Sequence, residues 1–272
     1  MTTGERAARA PRIGFVGPGR MGRPMVDRLV DAGRDVRVHA RSEERRSELE
    51  AAGIAVADDI AGLAAGCDVV LVTVFDDDQL RAVADIVAAS MPDGGVLVSH
   101  VTGRVRTVDE LAARHPRIGV VAAPVSGTPA DIAAARLTVM LGGEEADRSR
   151  ARAVVSTYAD PVIEAGSRRA ALSVKLLNNL LLAANVQCLL DAARLAGSLG
   201  LGEDVLLTSL AQMSGGSRAS EHALRYGGTD ELVEGIAQFL VKDVAVCFEQ
   251  AEELGVDTGL LGDLITRGGR FV

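Results

Sequence analysis

Lysine is rare in this chain, and its two positions are the first candidates for chemistry. Of the 29 basic residues, all but Lys175 and Lys242 are arginines. A guanidinium stays protonated in proteins, whereas an ammonium gives up its proton when burial or a nearby positive charge disfavours the charged form. A lysine can therefore be a general acid or base. A composition rich in Ala, Arg, Gly and Val also makes lysine scarce without any functional cause, so these positions need support from elsewhere in the chain.

Two asparagines follow Lys175 at helical spacing. Asn178 and Asn179 lie three and four positions later, and residues at these separations share one face of a helix. One amide could then hold a reacting oxygen beside the ammonium while the lysine moves a hydroxyl proton. The alternative is a lysine at a helix end with two asparagines satisfied inside an interface. Asparagine is a poor helix former, so two of them in an apolar helix need a reason.

A glycine pattern near the N-terminus indicates a binding site for a dinucleotide. In RIGFVGPGRMGRPMVDRL, the residues Gly17, Gly19 and Gly22 follow a short apolar run and open a helical stretch. Glycines in this Gly-x-Gly-x-x-Gly pattern permit a tight turn and let the backbone approach a pyrophosphate, whose charge is stabilised by N–H groups at the helix start. The alternative is an ordinary glycine-rich turn. The position between a strand and a helix favours dinucleotide binding.

The end of the second predicted strand indicates which dinucleotide is bound. An NAD site usually has an acidic residue here to accept from the ribose 2′-hydroxyl, whereas this chain has Ala40, Arg41 and Ser42. A guanidinium and a hydroxyl would instead hold a 2′-phosphate, with Arg45 or Arg46 nearby. The alternative is a solvated helix start in an arginine-rich protein. The segment predicts NADP.

The elements that must position these residues fall into two regions. Short β-branched runs alternate with helical stretches in the first region, where the predicted strands are IGFV, DVRVH, CDVVLVTV, GGVLVS, IGVVAA and RLTVMLGG. Several are apolar on both faces, as buried parallel strands are. This predicts an α/β fold with a Rossmann-type doubly wound sheet over residues 11–166. Helical spacing beyond it predicts an all-helical domain for substrate binding and dimerisation over 167–272, beginning with a long helix from about Ser167 to Ala196.

Composition excludes several classes of function. A net charge of −8 and a pI near 5.1 argue against nucleic acid, since its affinity comes mostly from neutralised phosphates. Residues 1–10 contain no apolar stretch of signal-peptide length, so we expect a cytoplasmic protein with no membrane partner. Three scattered cysteines, Cys67, Cys188 and Cys247, predict reduced thiols, and no histidine or cysteine spacing predicts a metal site.

Four motifs in order resemble those of the β-hydroxyacid dehydrogenases. This family includes 3-hydroxyisobutyrate dehydrogenase, tartronate semialdehyde reductase, glyoxylate/succinic semialdehyde reductases and, more distantly, 6-phosphogluconate dehydrogenase. The motifs are GFVGPGRMG, APVSG at Ala123 to Gly127, AGSRRAALSVKLLNN, and VKDVAV around Lys242. The resemblance covers residue 12 to about residue 257, and four ordered motifs are far more specific than one.

The resemblance implies a role for each matching residue. Lys175 resembles the family's catalytic lysine, and Asn179 resembles the asparagine that binds the substrate oxygen. Ser126 and Gly127 match the loop that grips the substrate carboxylate. The predicted substrate contacts are Thr102, Ser126, Gly127, Asn179 and Asp243, and the predicted cofactor contacts are Gly17, Pro18, Gly19, Arg20, Met21, Gly22, Arg41, Ser42, Val74, Thr102 and Lys242.

The chain departs from the family pattern at three places. Ser99, His100, Val101 and Thr102 stand where the family has Asp-x-Ser-Thr. The second glycine after APVS is replaced by Thr128, and Gly235 stands where glyoxylate reductases have an aromatic residue. A hydroxyl lost at Val101 and a ring lost at Gly235 imply a roomier, less polar pocket, and hence a substrate other than the smallest hydroxyacids.

Together the motifs predict an NADP-dependent oxidoreductase acting on a small hydroxy or oxo carboxylic acid or a semialdehyde. Lys175 would be the acid in reduction and the base in oxidation. One alternative is an imine or other carbonyl reductase on the same scaffold, although imine reductases of this architecture generally lack the lysine. Another is a non-catalytic NADP-binding module. The apolar long helix predicts a homodimer or higher homo-oligomer.

Overall fold

The computed structural model describes residues 10–272 of the chain. The expectation about a signal peptide rests on residues 1–10. Of these, residues 1–9 lie outside the described residues. The chain forms two compact units, one ending at Lys175 and the other comprising Leu176–Val272. The last described strand ends at Gly166 and the longest described helix begins at Arg168, and the domain boundary between residues 166 and 167 stays a prediction.

The first unit is built on a mostly parallel sheet, which confirms the predicted α/β fold. Its strands are β1 (Ile13–Val16), β2 (Val36–His39), β3 (Ala55–Val56), β4 (Val69–Val72), β5 (Val96–Ser99), β6 (Gly119–Ala122), β7 (Val125–Ser126), β8 (Leu137–Gly142) and β9 (Ala159–Gly166). The order is β3-β2-β1-β4-β5-β6-β8-β7, with β9 paired to β8. The order reverses between β1 and β4, and such a switch point, at the carboxyl ends of parallel strands, is where open α/β sheets bind ligands.

Helices connect the strands of this unit. They are α1 (Gly22–Asp31), α2 (Glu43–Ala51), α3 (Ile60–Ala65), α4 (Asp77–Ser90), α5 (Val105–Arg114), α6 (Pro129–Ala133) and α7 (Glu145–Val155). The central strands β1, β4 and β5 are buried throughout, because successive side chains enter apolar clusters on opposite faces. Within β4, for example, Leu71 packs on one face and Val70 and Val72 on the other.

Three strands were not predicted from the sequence. β3 and β7 have two residues each and are too short to show a period. β9 pairs only with β8, and most of its residues are exposed or half-buried, so it lacks the apolar pattern that identifies a strand. β8 is antiparallel to β6 and β7, so the sheet is mixed at this side.

The second unit is helical, as predicted. The long helix α8 (Arg168–Ser198) begins in the first unit and continues into the second, where it is followed by α9 (Glu203–Leu210), α10 (Arg218–Tyr226), α11 (Thr229–Glu253) and α12 (Gly259–Gly268). Leu180, Leu240 and Ile265 belong to the buried cluster that joins these helices. By length and composition alone α8 is apolar enough to cross a membrane, a test that the core helix of a soluble protein also passes.

Candidate active site

The loop after β1 is shaped by two glycines and left open by a third. Gly17 has a φ of +90°, and a Cβ built on it would lie 2.1 Å from the carbonyl oxygen of Thr73. A Cβ on Gly22 would lie 2.3 Å from the carbonyl oxygen of Gly17. In contrast, a Cβ on Gly19 would meet no protein atom within 4 Å. The fold therefore requires glycine at the first and third positions, while the second leaves the backbone open to a ligand.

The residues around this loop fit a dinucleotide. Helix α1 begins directly after the loop, its N-cap residue Met21 makes no side-chain cap, and its first turn contains no acidic residue. An uncapped helix start free of carboxylates suits a diphosphate. Val74 lies beside the loop, with a methyl group 3.4 Å from a Cβ built on Gly17. Pro18 is buried and Arg20 is exposed.

At the end of β2, Arg41 differs from the two nearby arginines in its ion pairing. Ala40 is buried, and Arg41 and Ser42 after it are exposed. Arg45 pairs with Glu48 and Arg46 with Asp58, at 2.5 and 3.2 Å, whereas Arg41 pairs with no carboxylate among residues 10–272. The Ser42 hydroxyl caps α2 by accepting from the Arg45 amide at 3.4 Å, which leaves its own proton to donate.

The Ser99–Thr102 segment follows β5. Val101 is 3% exposed and belongs to the hydrophobic core, while Thr102 is half-buried. The valine that stands where the family has serine therefore packs in the core, and the expected loss of a pocket hydroxyl at this position stays a prediction.

A buried carboxylate on α4 holds the turn just beyond this segment. Asp77 accepts from the backbone amide of Arg104 at 2.9 Å and from its guanidinium at 3.3 Å. A Cβ on Gly103 would lie 2.3 Å from Asp77 Oδ1. The turn that follows Thr102 is thus hydrogen-bonded to the first residue of α4. Only glycine fits at residue 103 without displacing the Asp77 carboxylate.

Thr128 replaces a family glycine because a helix begins there. Its hydroxyl accepts from the Asp131 amide, and Asp131 Oδ2 accepts from the Thr128 amide and hydroxyl at 2.8 and 2.7 Å. This capping box starts α6. Just before it, Ser126 pairs with Thr138 in the sheet, and Gly127 has a φ of +141°. Ser126 and Gly127 therefore lie in a rigidly held corner.

His100 is a neutral, fully buried histidine. Its Nδ1 lies 2.6 Å from the carbonyl oxygen of Ala123, and its Nε2 lies 2.8 Å from the hydroxyl oxygen of Tyr158. Burial lowers the pKa of His100 to about 4, with the Ala123 carbonyl opposing this shift. Burial also raises the pKa of the Tyr158 phenol well above its ordinary value. Both rings are uncharged at neutral pH.

Helix α8 carries the predicted proton-transfer residue. Lys175 is 8% exposed and Asn179, four residues later on the same helix, is 5% exposed. In the second unit, Asn179 Nδ2 donates to Asp243 Oδ2 at 2.5 Å, and Asn178 Nδ2 donates to Asn179 Oδ1 at 3.0 Å. Lys242 Nζ donates to the other oxygen of Asp243 at 2.6 Å. One buried carboxylate therefore orients the Asn179 amide and binds the chain's second ammonium.

The second unit also contains an aromatic ring beside Gly235. A Cβ on Gly235 would lie 2.6 Å from the ring of Tyr226. The expectation that Gly235 leaves a roomier pocket is wrong on this side, because a ring from α10 fills the space. The expectation of a substrate other than the smallest hydroxyacids therefore has no support from Gly235 and stays a prediction.

Comparison with known proteins identifies the family. A family model for the NAD-binding domain of 6-phosphogluconate dehydrogenase matches residues 12–166. An uncharacterized oxidoreductase of Shewanella frigidimarina is 30% identical over 251 residues, which cover 90% of this chain and 86% of the relative. A probable 3-hydroxyisobutyrate dehydrogenase of Mycobacterium tuberculosis is 33% identical over 207 residues, 75% of this chain and 70% of the relative. The chain belongs to the β-hydroxyacid dehydrogenase family.

A solved structure of the same family supports the match along most of the chain. The Mycobacterium tuberculosis 3-hydroxyisobutyrate dehydrogenase with L-serine is similar with a TM-score of 0.84, at 26% identity, over 96% of this chain and 93% of that chain. The chain is thus an NAD(P)-dependent oxidoreductase of the hydroxyacid dehydrogenase type.

Sequence reasoning missed Asp77, Tyr158 and Tyr226. Tyr158 and Asp77 act on segments distant in the chain, 58 residues from His100 and 27 residues from Arg104, and Tyr226 reaches Gly235 from a different helix. No local pattern marks such partners. Gly103 was a usable signal for Asp77, because a glycine directly after a predicted substrate residue indicates a close approach by another group.

The neutral state of His100 predicts a pH dependence of stability. The pKa of His100 is below its value in the unfolded chain, so its contribution is complete above about pH 6.5. It is lost as the pH falls towards about 4, where the unfolded chain binds a proton that the native state does not. We expect the free energy of unfolding to fall by up to about 3 kcal/mol over this range from His100 alone.

Urea unfolding at a series of pH values from about 4.5 to 7.5 measures this effect. His100→Asn, which does not titrate, is the matched control and should have a flatter profile. Equal slopes for the two proteins would contradict a neutral buried histidine.

Proposed function

We propose that this protein is an NADP-preferring dehydrogenase or reductase for a small hydroxy or oxo carboxylic acid or a semialdehyde, with Lys175 as the general acid or base. The observation that carries the proposal is the burial of Lys175 on α8, four residues before an asparagine whose amide is oriented by Asp243. An ammonium in this setting has a neighbour suited to hold the oxygen whose proton it moves.

When bound, the nicotinamide supplies or accepts the hydride. The chain's own residues then handle the oxygen and its proton. Lys175 donates a proton to the oxygen in reduction and takes it in oxidation. Asn179 uses one N–H on Asp243 and offers the other to the same oxygen. Lys242 neutralises the Asp243 carboxylate, so that the amide is oriented by a charge that is itself paired.

The remaining substrate and cofactor contacts are assigned to the segments that follow β5 and β6. Ser126 and Gly127 would hold the substrate carboxylate and Thr102 would lie beside the nicotinamide. The Mycobacterium tuberculosis relative was solved with L-serine, which is itself a 3-hydroxy acid and supports this substrate class. We also propose a cytoplasmic location, for which the free Cys67, Cys188 and Cys247 are suited.

A panel of small 2- and 3-hydroxy acids, oxo acids and semialdehydes, each tested with NADP(H) and NAD(H), tests the proposed activity. We expect turnover of at least one member, faster with the phosphorylated cofactor at equal concentration. Cofactor binding without turnover of any member would favour a non-catalytic NADP-binding module instead.

Replacing each lysine by arginine separates proton transfer from charge. Lys175→Arg keeps the positive charge but cannot release a proton near neutral pH, so we expect hydride transfer to slow by roughly a hundred- to ten-thousand-fold. Lys242→Arg is the matched control: it keeps a cation beside Asp243 and should retain most of the rate. Single-turnover rates with saturating NADPH give the comparison, after titration shows that NADPH still binds. If Lys175→Arg retains most of the wild-type rate, Lys175 is not the proton-transfer residue.

Arg41 should distinguish the two cofactors. Arg41→Gln removes the charged partner proposed for the 2′-phosphate and should weaken NADPH by roughly 1.5 to 3 kcal/mol while changing NADH little. Arg45→Gln, which removes a guanidinium already paired with Glu48, is the control and should change neither affinity greatly. Fluorescence titration of both cofactors measures these effects. Equal losses of NADPH and NADH affinity in Arg41→Gln would refute the assignment.

The exposed face of α8 supports the proposed homodimer. Leu177, Leu181 and Leu195 lie on this face and are 57%, 50% and 53% exposed. Leu177 and Leu181 are one helical turn apart and Leu195 lies about four turns further along the same face, so a second copy of the chain would cover this apolar face with its own about a two-fold axis. We expect Leu181→Glu to yield monomers, whereas Ile86→Glu, at an exposed isoleucine on α4, should not. Sedimentation at micromolar concentration decides, and a monomeric unaltered protein would overturn this proposal.

A further inference from the structure

The two segments proposed to bind substrate in the first unit begin side by side. Ser99, at the end of β5, is in register with Ala122, at the end of β6. Beyond these residues the Ser99–Thr102 segment leaves the sheet, whereas the Ala123–Gly127 segment continues through β7 and pairs with β8. The pairing of β5 with β6 ends here, so contacts beyond these two strands contribute to the separation of the two segments.

Consecutive residues of the first segment hold both backbone groups of Ala123. The Ser99 carbonyl oxygen accepts from the Ala123 amide at 2.7 Å, and the His100 ring binds the Ala123 carbonyl oxygen at 2.6 Å. Ala123 is followed by Pro124, which has no N–H and whose carbonyl oxygen accepts from the Met140 amide of β8 at 3.1 Å. The His100 ring therefore extends the pairing of the strands by one residue beyond the sheet.

The Ala123 carbonyl oxygen determines which nitrogen of His100 carries the proton. A carbonyl oxygen only accepts, so Nδ1 must be protonated to bind Ala123. In the neutral ring Nε2 is then an acceptor, and the Tyr158 hydroxyl donates to it at 2.8 Å. Tyr158, in the turn between α7 and β9, is 0% exposed, and its ring meets the His100 ring edge-on. A hydroxyl from a third element thus keeps the imidazole in the tautomer that holds Ala123.

We propose that His100 and Tyr158 are positioning residues that hold Thr102 and Ser126 at a fixed separation. Thr102 is two residues after His100, and Ser126 is three residues after Ala123, so the imidazole is a side-chain link between the two segments. The part of this proposal that concerns substrate rests on the proposed function. The link itself is a property of the free protein.

Two measurements on the protein without cofactor or substrate test the link. The first is the ¹⁵N spectrum of the histidine side chains at neutral pH, with His100 assigned by its loss in His100→Asn. We expect Nδ1 to be protonated and Nε2 unprotonated. A His100 ring with its proton on Nε2, or on both nitrogens, would overturn the proposal, and the variant serves only to assign the signal.

The second measurement is amide hydrogen exchange of peptides covering 101–104 and 123–128. Tyr158→Phe removes only the hydroxyl, and we expect exchange in both peptides to rise roughly tenfold relative to the rest of the sheet. Val154→Ala, a buried change on α7 that touches neither hydrogen bond, is the control and should raise exchange without selecting these peptides. An equal rise across the unit in both variants would show a merely structural role and overturn the proposal.

Two replacements of His100 test whether its hydrogen bond to the Ala123 carbonyl protects the second segment. Asparagine can still donate to the Ala123 carbonyl, whereas leucine cannot, so His100→Asn should preserve more protection of residues 123–128 than His100→Leu. Equal loss of protection in the two variants would contradict a role through Ala123. Because these readouts involve no turnover, their failure leaves the proposed oxidoreductase activity standing, and failure of the substrate panel leaves the link standing.

Discussion

Parallel pairing of β1, β4, β5 and β6 is the constraint on which the first unit depends. Each pair is in register up to its last residue, so the strands end together at one edge of the sheet. The segments that follow these strands contain the glycine pattern, Val74, Thr102 and Ser126. None of these residues is near another in sequence. The backbone hydrogen bonds of a few four-residue strands bring them to one place, and side chains such as Asp77 and His100 adjust the loops afterwards.

In the second unit, a charged side chain positions the candidate site residues, whereas in the first unit the backbone pairing of the strands does so. Asp243 is buried on α11, and its two oxygens are bound by an ammonium and an amide. A buried carboxylate without such partners would cost several kcal/mol, so Lys242 and Asn179 are needed for its presence. The chain's two lysines thus have different surroundings. Lys242 is bound to a carboxylate that orients an amide, and Lys175 lies one helical turn before that amide.

The sequence predicted those elements whose pattern lies within a single stretch of the chain, and it failed where the structure depends on a contact between distant elements. β1, β4 and β5 were predicted because they are apolar throughout except for Ser99 at the end of β5, and α8 was predicted within two residues of its observed bounds because its apolar residues keep a helical period. β9 was missed because it is an exposed edge. The prediction that Gly235 leaves a roomier pocket was wrong because the ring of Tyr226, on another helix, fills the space. Whether a glycine leaves a cavity depends on neighbours that the sequence does not reveal.

The contact of Gly17 with Thr73 has a consequence for the thermodynamics of ligand binding. Because the backbone of the loop after β1 lies against the carbonyl after β4, with no room for even one methyl group, the loop has few alternative conformations. Its conformational entropy is lost when the protein folds, not when a ligand arrives. Binding to such a preorganised loop needs little further ordering of the chain at this position, so more of the interaction between the ligand and the backbone is retained as affinity.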